Sequence, residues 1–212
     1  MMSAGPGSIG KDDAREVNDS ARVSVGAYGA LLIVGALVVL VYVKIASQII
    51  FPFNVDSAVY IGLARNLLNG NGYVHTSFSY DKELAPHDAF PPGFPILIAG
   101  VSSLGMDGSE AALWLARISW VLVPAATAWC LAPLMGWGVA ALCGILTLIS
   151  PGAVLWGYPA MSDIPFFVLV LVSLGCLFRS MAVGTERTYL ALSGFLAGVG
   201  YSLRTVGIAV FA

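Results

Sequence analysis

The feature that most constrains this chain is Val23–Val43, VSVGAYGALLIVGALVVLVYV, an apolar stretch without a single charged side chain. Roughly twenty such residues match a hydrocarbon core about 30 Å thick at about 1.5 Å rise per residue. A cleaved signal peptide would have a shorter apolar core and an A-x-A-like site. The whole chain agrees with a membrane solvent: 58% of its residues are hydrophobic, 10% are charged and the mean hydropathy is +0.86. A soluble domain carries about a quarter charged residues, and a disordered one is poor in apolar residues. A net charge of −2 gives no electrostatic basis for nucleic-acid binding, which needs a basic surface. The composition predicts an all-α, polytopic transmembrane helix bundle.

Two units are expected along the chain. Residues 1–22 mix Lys11, Arg15 and Arg22 with Asp12, Asp13, Glu16 and Asp19 and show no apolar pattern, so a disordered or fraying tail is predicted. Residues 23–212 form the membrane module. After the first span, Asn54–Gly72 places Val55, Val59, Leu63 and Leu67 on one stripe, with Tyr60, Ala64 and Leu68 beside it. The opposite side carries Asp56, Ser57, Arg65, Asn66 and Asn69. This predicts an amphipathic juxtamembrane helix lying in the interface, ended by Asn-Gly-Asn-Gly. A polar loop with His75, Asp81, Lys82, Glu83, His87 and Asp88 follows. Further apolar runs are Phe94–Leu104, Ala111–Leu131 interrupted by Arg117, Trp137–Ile149, Ile164–Leu177 and Tyr189–Ala212 with Arg204 inside it.

Lys and Arg concentrate in short cytoplasmic loops. The basic residues of the tail place the N-terminus inside, and Arg179 and Arg187 place the loop after the Ile164 run inside as well. The first loop and Asp163 are then extracytoplasmic. This requires an even number of crossings between Gly93 and Asp163, so one of the two short runs, Phe94–Leu104 or Trp137–Ile149, is expected not to cross by itself.

Ionisable groups at the bilayer are costly without a purpose, which singles out a few residues. Asp56 suits either a helix N-cap or a catalytic or metal-binding carboxylate at the water–lipid boundary. Asp163, before Ile164-Pro165, suits a cap or a site shared with Asp56. Arg204 and Arg65 suit either snorkelling or the holding of a lipid phosphate, while Arg117 reads as structural. Cys130, Cys143 and Cys176 lie in apolar runs without C-x-x-C spacing and read as packing residues. His75 and His87 lack metal-ligand spacing, and no cofactor is indicated.

In order, the segments DSAVYIGLARNLLNGNGY, FPPGFPILIAG, SPGAVLWGYPAMSDIPFF and GFLAGVGYSLRTVGIAV resemble the N-terminal half of the GT-C superfamily of membrane glycosyltransferases. The nearest branch is that of protein O-mannosyltransferases and lipid A aminoarabinose transferases. The resemblance implies transfer of a sugar from a polyprenyl-phosphate donor to a lipid, glycan or protein acceptor on the outer side of the cell (inner) membrane. It implies catalytic roles for Asp56 and Asp163, with Arg204 in a GxxxGxxxxxR-like stretch. Many members carry an acid or a Glu-Lys pair shortly before the paired prolines; here that stretch reads HDAFPPG, leaving Asp88 or His87 for the role. Members of the superfamily continue through further spans, so an N-terminal part of a larger enzyme, inactive alone, is expected. The competing readings are a transporter using Asp56, Asp163 and Arg204 as a polar pathway, and a non-catalytic membrane scaffold.

Overall fold

A computed structural model describes residues 11–76, 84–86, 89–181 and 186–204. Eight helices follow in chain order: α1 (Lys11–Ala46), α2 (Val55–Leu68), α3 (Gly93–Ser102), α4 (Gly108–Met135), α5 (Trp137–Leu148), α6 (Pro151–Gly157), α7 (Asp163–Ser180) and α8 (Glu186–Leu203). Between α2 and α3, where the sequence suggests only a polar loop, β1 (Val74–Thr76) and β2 (Leu84–Pro86) form an antiparallel pair with His75 opposite Ala85. Val25–Ala46, Gly108–Met135 and Asp163–Ser180 are long and apolar enough to cross a membrane, and α5 with α6, bent by 56°, makes a fourth span if the two act as one. The helical backbone runs back to Lys11, so Arg22 is not the helix boundary that composition suggests. Once a helix is nucleated by a long apolar segment, each added residue gains a hydrogen bond for little cost.

α4 is the hub, and its two internal prolines shape what packs on it. Pro124 and Pro133 lack the N–H that would bond the carbonyl four residues earlier. The Trp129 carbonyl, freed by Pro133, accepts instead from the Arg179 guanidinium of α7 at 2.7 Å. Arg179 also donates to the Gly175 carbonyl at 2.9 Å and lies 3.6 Å from the centre of the Trp129 ring. The sequence places Arg179 in a loop; it belongs to the last turn of α7, where a cation suits the helix dipole and here also mends its neighbour's backbone. At the Pro124 turn, α1 and α5 approach through glycine. A Cβ on Gly35 would stand 2.7 Å from the Val121 carbonyl oxygen, and one on Gly144 2.4 Å from that of Pro124.

The connecting segments show which helix ends lie together. The Ala160 N–H donates to the Pro52 carbonyl at 3.0 Å, and the Tyr158 hydroxyl to the Ile50 carbonyl at 3.0 Å. The α6–α7 connector is thereby pinned to the α1–α2 connector. Gly93, opening α3, presses on Ser202 near the end of α8, and Gly108, opening α4, sits against Ile61 of α2. One end of the bundle therefore collects α2, α3, the starts of α4 and α7 and the end of α8. α3 packs beside α2, burying Phe94 and Ile98 against Tyr60 and Ala64, rather than running the length of the bundle. At about 1.5 Å per residue its ten residues reach only about half a hydrocarbon core. By length alone α3 is too short to cross a membrane by itself. In a background without the native cysteines, Ala89→Cys and Leu104→Cys should react with an impermeant thiol reagent from the same side, and Met135→Cys from the other; opposite-side labelling of the first two would contradict the packing.

α2 departs from the simple amphipathic picture. Of the expected stripe, Val59 and Leu63 are buried, but Val55 is 73% exposed, and Leu68 beside the stripe is 46% exposed. Ser57 and Asn66, expected on the polar side, are buried. Each has a bonding reason: Ser57 closes a capping box with Asn54, and the Asn66 amide donates to the Val74 carbonyl of β1 at 2.7 Å. Buried polar groups are tolerated where they are hydrogen-bonded, and Asn66 here fastens α2 to the hairpin.

Candidate functional site

Asp56 is not a cap. Asn54 occupies that position, its side chain accepting from the Ser57 N–H at 2.8 Å. The Asn54 N–H in turn donates to the Ser57 hydroxyl at 3.3 Å. Both arms of a capping box are thus filled without Asp56, whose partly exposed carboxylate sits in the first turn of α2. Asp163 is likewise not a cap: Ser162 holds the cap position of α7, without a side-chain bond to the helix. Relieved of backbone duties, both acids are available for other work.

Asp163 pairs with Arg204, one carboxylate oxygen meeting the guanidinium. Its other oxygen is buried with no hydrogen-bond partner among the described residues. The side chains are 19% and 37% exposed respectively, so the pair lies at the rim of the protein rather than in its depths. The sequence puts Arg204 inside its last apolar run; it directly follows Leu203 of α8, its N–H bonded to the Gly200 carbonyl at 3.1 Å. α7 and α8 run antiparallel, crossing midway where the Ser173 hydroxyl donates to the Ser193 carbonyl at 2.9 Å. The start of one helix therefore meets the end of the other. The pair borders a cavity of about 410 Å³. Thr147, Ser150 and Trp156 from the α5–α6 break line one side and Phe166 and Phe167 of α7 the other.

Asp56 does not line this cavity, so the two acids do not share one enclosed space. Tyr60 lies one helical turn after Asp56 on the same helix. Its hydroxyl shares a hydrogen bond of 3.1 Å with that of Ser162, the residue before Asp163. Burial raises the Tyr60 pKa; the Ser162 bond and the Arg204 charge lower it, and the Asp56 charge raises it. The phenol thus feels both ends of the constellation. Phe94 and Phe90 hold its ring, with centroids 5.2 and 5.0 Å away. Tyr60 and Ser162 were missed by composition and spacing, although an i, i+4 step from Asp56 and direct adjacency to Asp163 are both visible in the sequence.

The remaining candidates separate from this cluster. Arg65 lies at the other end of α2, on a smaller cavity with Asp107 and Ser102. Asp107 caps α4 through the Ser109 N–H at 2.8 Å, a bond that lowers its pKa, with a smaller contribution from Arg65. His87 and Asp88 fall outside the described residues, and His75 lies in β1. Cys130 and Cys176 are buried free thiols and Cys143 is a partly buried one. Among the described residues no group of three or more His, Cys, Asp or Glu side chains is placed to hold a metal ion.

Near the site, the Tyr73 hydroxyl donates to the Phe90 carbonyl at 2.7 Å, tying the hairpin region to the start of α3. Burial, with Tyr60 adding to it, pushes the Tyr73 phenol from 10.0 up to about 12. A phenol whose folded pKa is raised contributes stability that is complete below the unfolded value and lost as pH rises through the folded one. The loop should accordingly hold below about pH 10 and loosen progressively between about 10 and 12. Amide exchange of residues 71–76 across that window would show it, and Tyr73→Phe should remove the dependence; a flat profile in the parent would contradict the assignment.

No protein family, no curated protein and no solved structure matches this chain.

Proposed function

We propose that this chain forms the sugar-transfer site of a polytopic membrane glycosyltransferase, acting on a polyprenyl-phosphate donor at the extracytoplasmic face. The observation that carries the reading is the Asp163–Arg204 pair on a largely apolar cavity, at the same end of the bundle as an acid released from capping. An arginine presents five N–H donors in a planar fork, so one edge can stay on Asp163 while another meets a phosphate. Asp163 would then act as a positioning residue, holding the guanidinium where the donor's phosphate arrives. The apolar cavity wall suits the isoprenoid units next to that phosphate.

The chemistry follows from these groups. The acceptor hydroxyl gives its proton to the Asp56 carboxylate as its oxygen bonds the anomeric carbon. The bond from that carbon to the phosphate oxygen breaks, and the phosphate leaves with the electron pair, its charge held by Arg204. α2, half in the interface, offers the lipid-borne donor a lateral approach. The transporter reading is less well supported, because its acids are expected near mid-membrane on repeated broken helices, whereas Asp56 and Asp163 both open helices at one end.

Polyprenyl phosphate binding to the protein in lipid nanodiscs tests the reading. Arg204→Gln should weaken binding by about tenfold or more, the worth of a charge-assisted hydrogen bond, while Asp56→Asn leaves it within about twofold. The double variant Asp163→Asn/Arg204→Gln removes both charges together, guarding against an unpaired buried acid, and should bind as poorly. Unchanged binding in both Arg204 variants would sink the proposal.

A further inference from the structure

A second feature lies away from this site, on the face where α1 and α4 meet. There a groove of about 280 Å³ is bounded by Ala36, Leu40 and Val43 of α1 and by Trp114, Ile118 and Leu122 of α4. Among the described residues that line it, Arg117 is the one cation in an otherwise apolar surface and none is an acid. Its Nε–H is buried without an acceptor, and among the described residues no carboxylate pairs with it. An arginine in a span-length helix with no internal partner is expensive, which calls for an anion supplied from outside the fold.

Depth selects the anion. Arg117 follows Gly108 by nine residues, about 14 Å along the axis at about 1.5 Å per residue. Trp114 lies nearly one turn closer to the helix start and is 51% exposed, as aromatic side chains are at headgroup level. From just below that level the guanidinium can snorkel to a phosphate. The groove walls are exposed aliphatic side chains, Leu40 at 66% and Ile118 at 53%, a surface matched to an acyl chain.

We propose that the α1–α4 groove is a phospholipid site, in which Arg117 holds the lipid phosphate and the groove takes one acyl chain. The site is separate from the sugar-transfer cavity and does not depend on that activity. Native mass spectrometry of the delipidated protein titrated with phosphatidylglycerol tests it. Arg117→Gln should retain the lipid on the order of tenfold less well. Ala36→Phe, which fills the groove and leaves the arginine in place, should lose it to a similar degree. Inorganic phosphate at the same concentration should not compete, since it lacks the chain. Equal retention by the parent and either folded variant overturns the proposal. So does competition by inorganic phosphate, and so does a dimer that the arginine variant dissolves, which would assign the groove to a partner's acidic side chain.

Discussion

In the complete enzyme, Asp56→Asn should lower sugar transfer by about 10²- to 10⁴-fold, the usual range for a general base, while leaving the fold intact. The fold makes this test unusually clean. Were Asp56 the N-cap of α2, the same substitution would confound lost chemistry with a lost cap. Asn54 and Ser57 hold that end of the helix instead, so the substitution removes a charge and little else. Asn54→Ala is the complementary control: it should cost about 1 kcal/mol of stability and keep the carboxylate. Transfer measured in membranes, with thermal melting alongside, separates the two. Full activity in Asp56→Asn would refute the base assignment, and a melting loss equal to that of Asn54→Ala would show that the carboxylate had been structural.

Gly144→Val should strongly destabilise the bundle. Its Cβ would stand 2.4 Å from the Pro124 carbonyl oxygen and 3.1 Å from the carbonyl carbon. The obstacle is backbone, which no rotamer change can clear, so α5 must move off α4. Overpacking of this kind costs about 3 kcal/mol or somewhat more. Gly138→Val is the matched control on the same helix, with nothing within 4 Å of its Cβ, and should shift stability by no more than about 0.5 kcal/mol. Melting in detergent compares the two directly; equal losses would mean that helix propensity, not the α4–α5 crossing, governs the response.

How far the sequence carried can be judged at particular residues. The all-α class and the long apolar helices were legible, because hydropathy summed over about twenty residues is a local property that partition into lipid reads directly. The basic residues of the loops led to the expectation that one short run does not cross. It could not say which, since Phe94–Leu104 and Trp137–Ile149 differ in what they pack against and not in apolar character. α3 nests against α2, whereas α5 continues past Ser150 into α6. The polar face of α2 was read wrongly at Ser57 and Asn66, because a side chain that satisfies a neighbouring backbone group is buried whatever its hydropathy.

At the candidate site, Asp56, Asp163 and Arg204 stood out as ionisable groups near apolar runs, and Tyr60 did not, because a tyrosine beside an apolar stripe is ordinary core. Sequence by itself determined the solvent, the helices and which charges are costly, since each depends on residues adjacent along the chain. Only the tertiary structure decided that Asp163 meets Arg204, that Tyr60 bonds to Ser162, and that Arg179 serves the carbonyl Pro133 sets free. Those contacts join residues 41, 102 and 50 positions apart on separate elements, and their formation depends on how antiparallel helices align in space, a quantity no local pattern encodes.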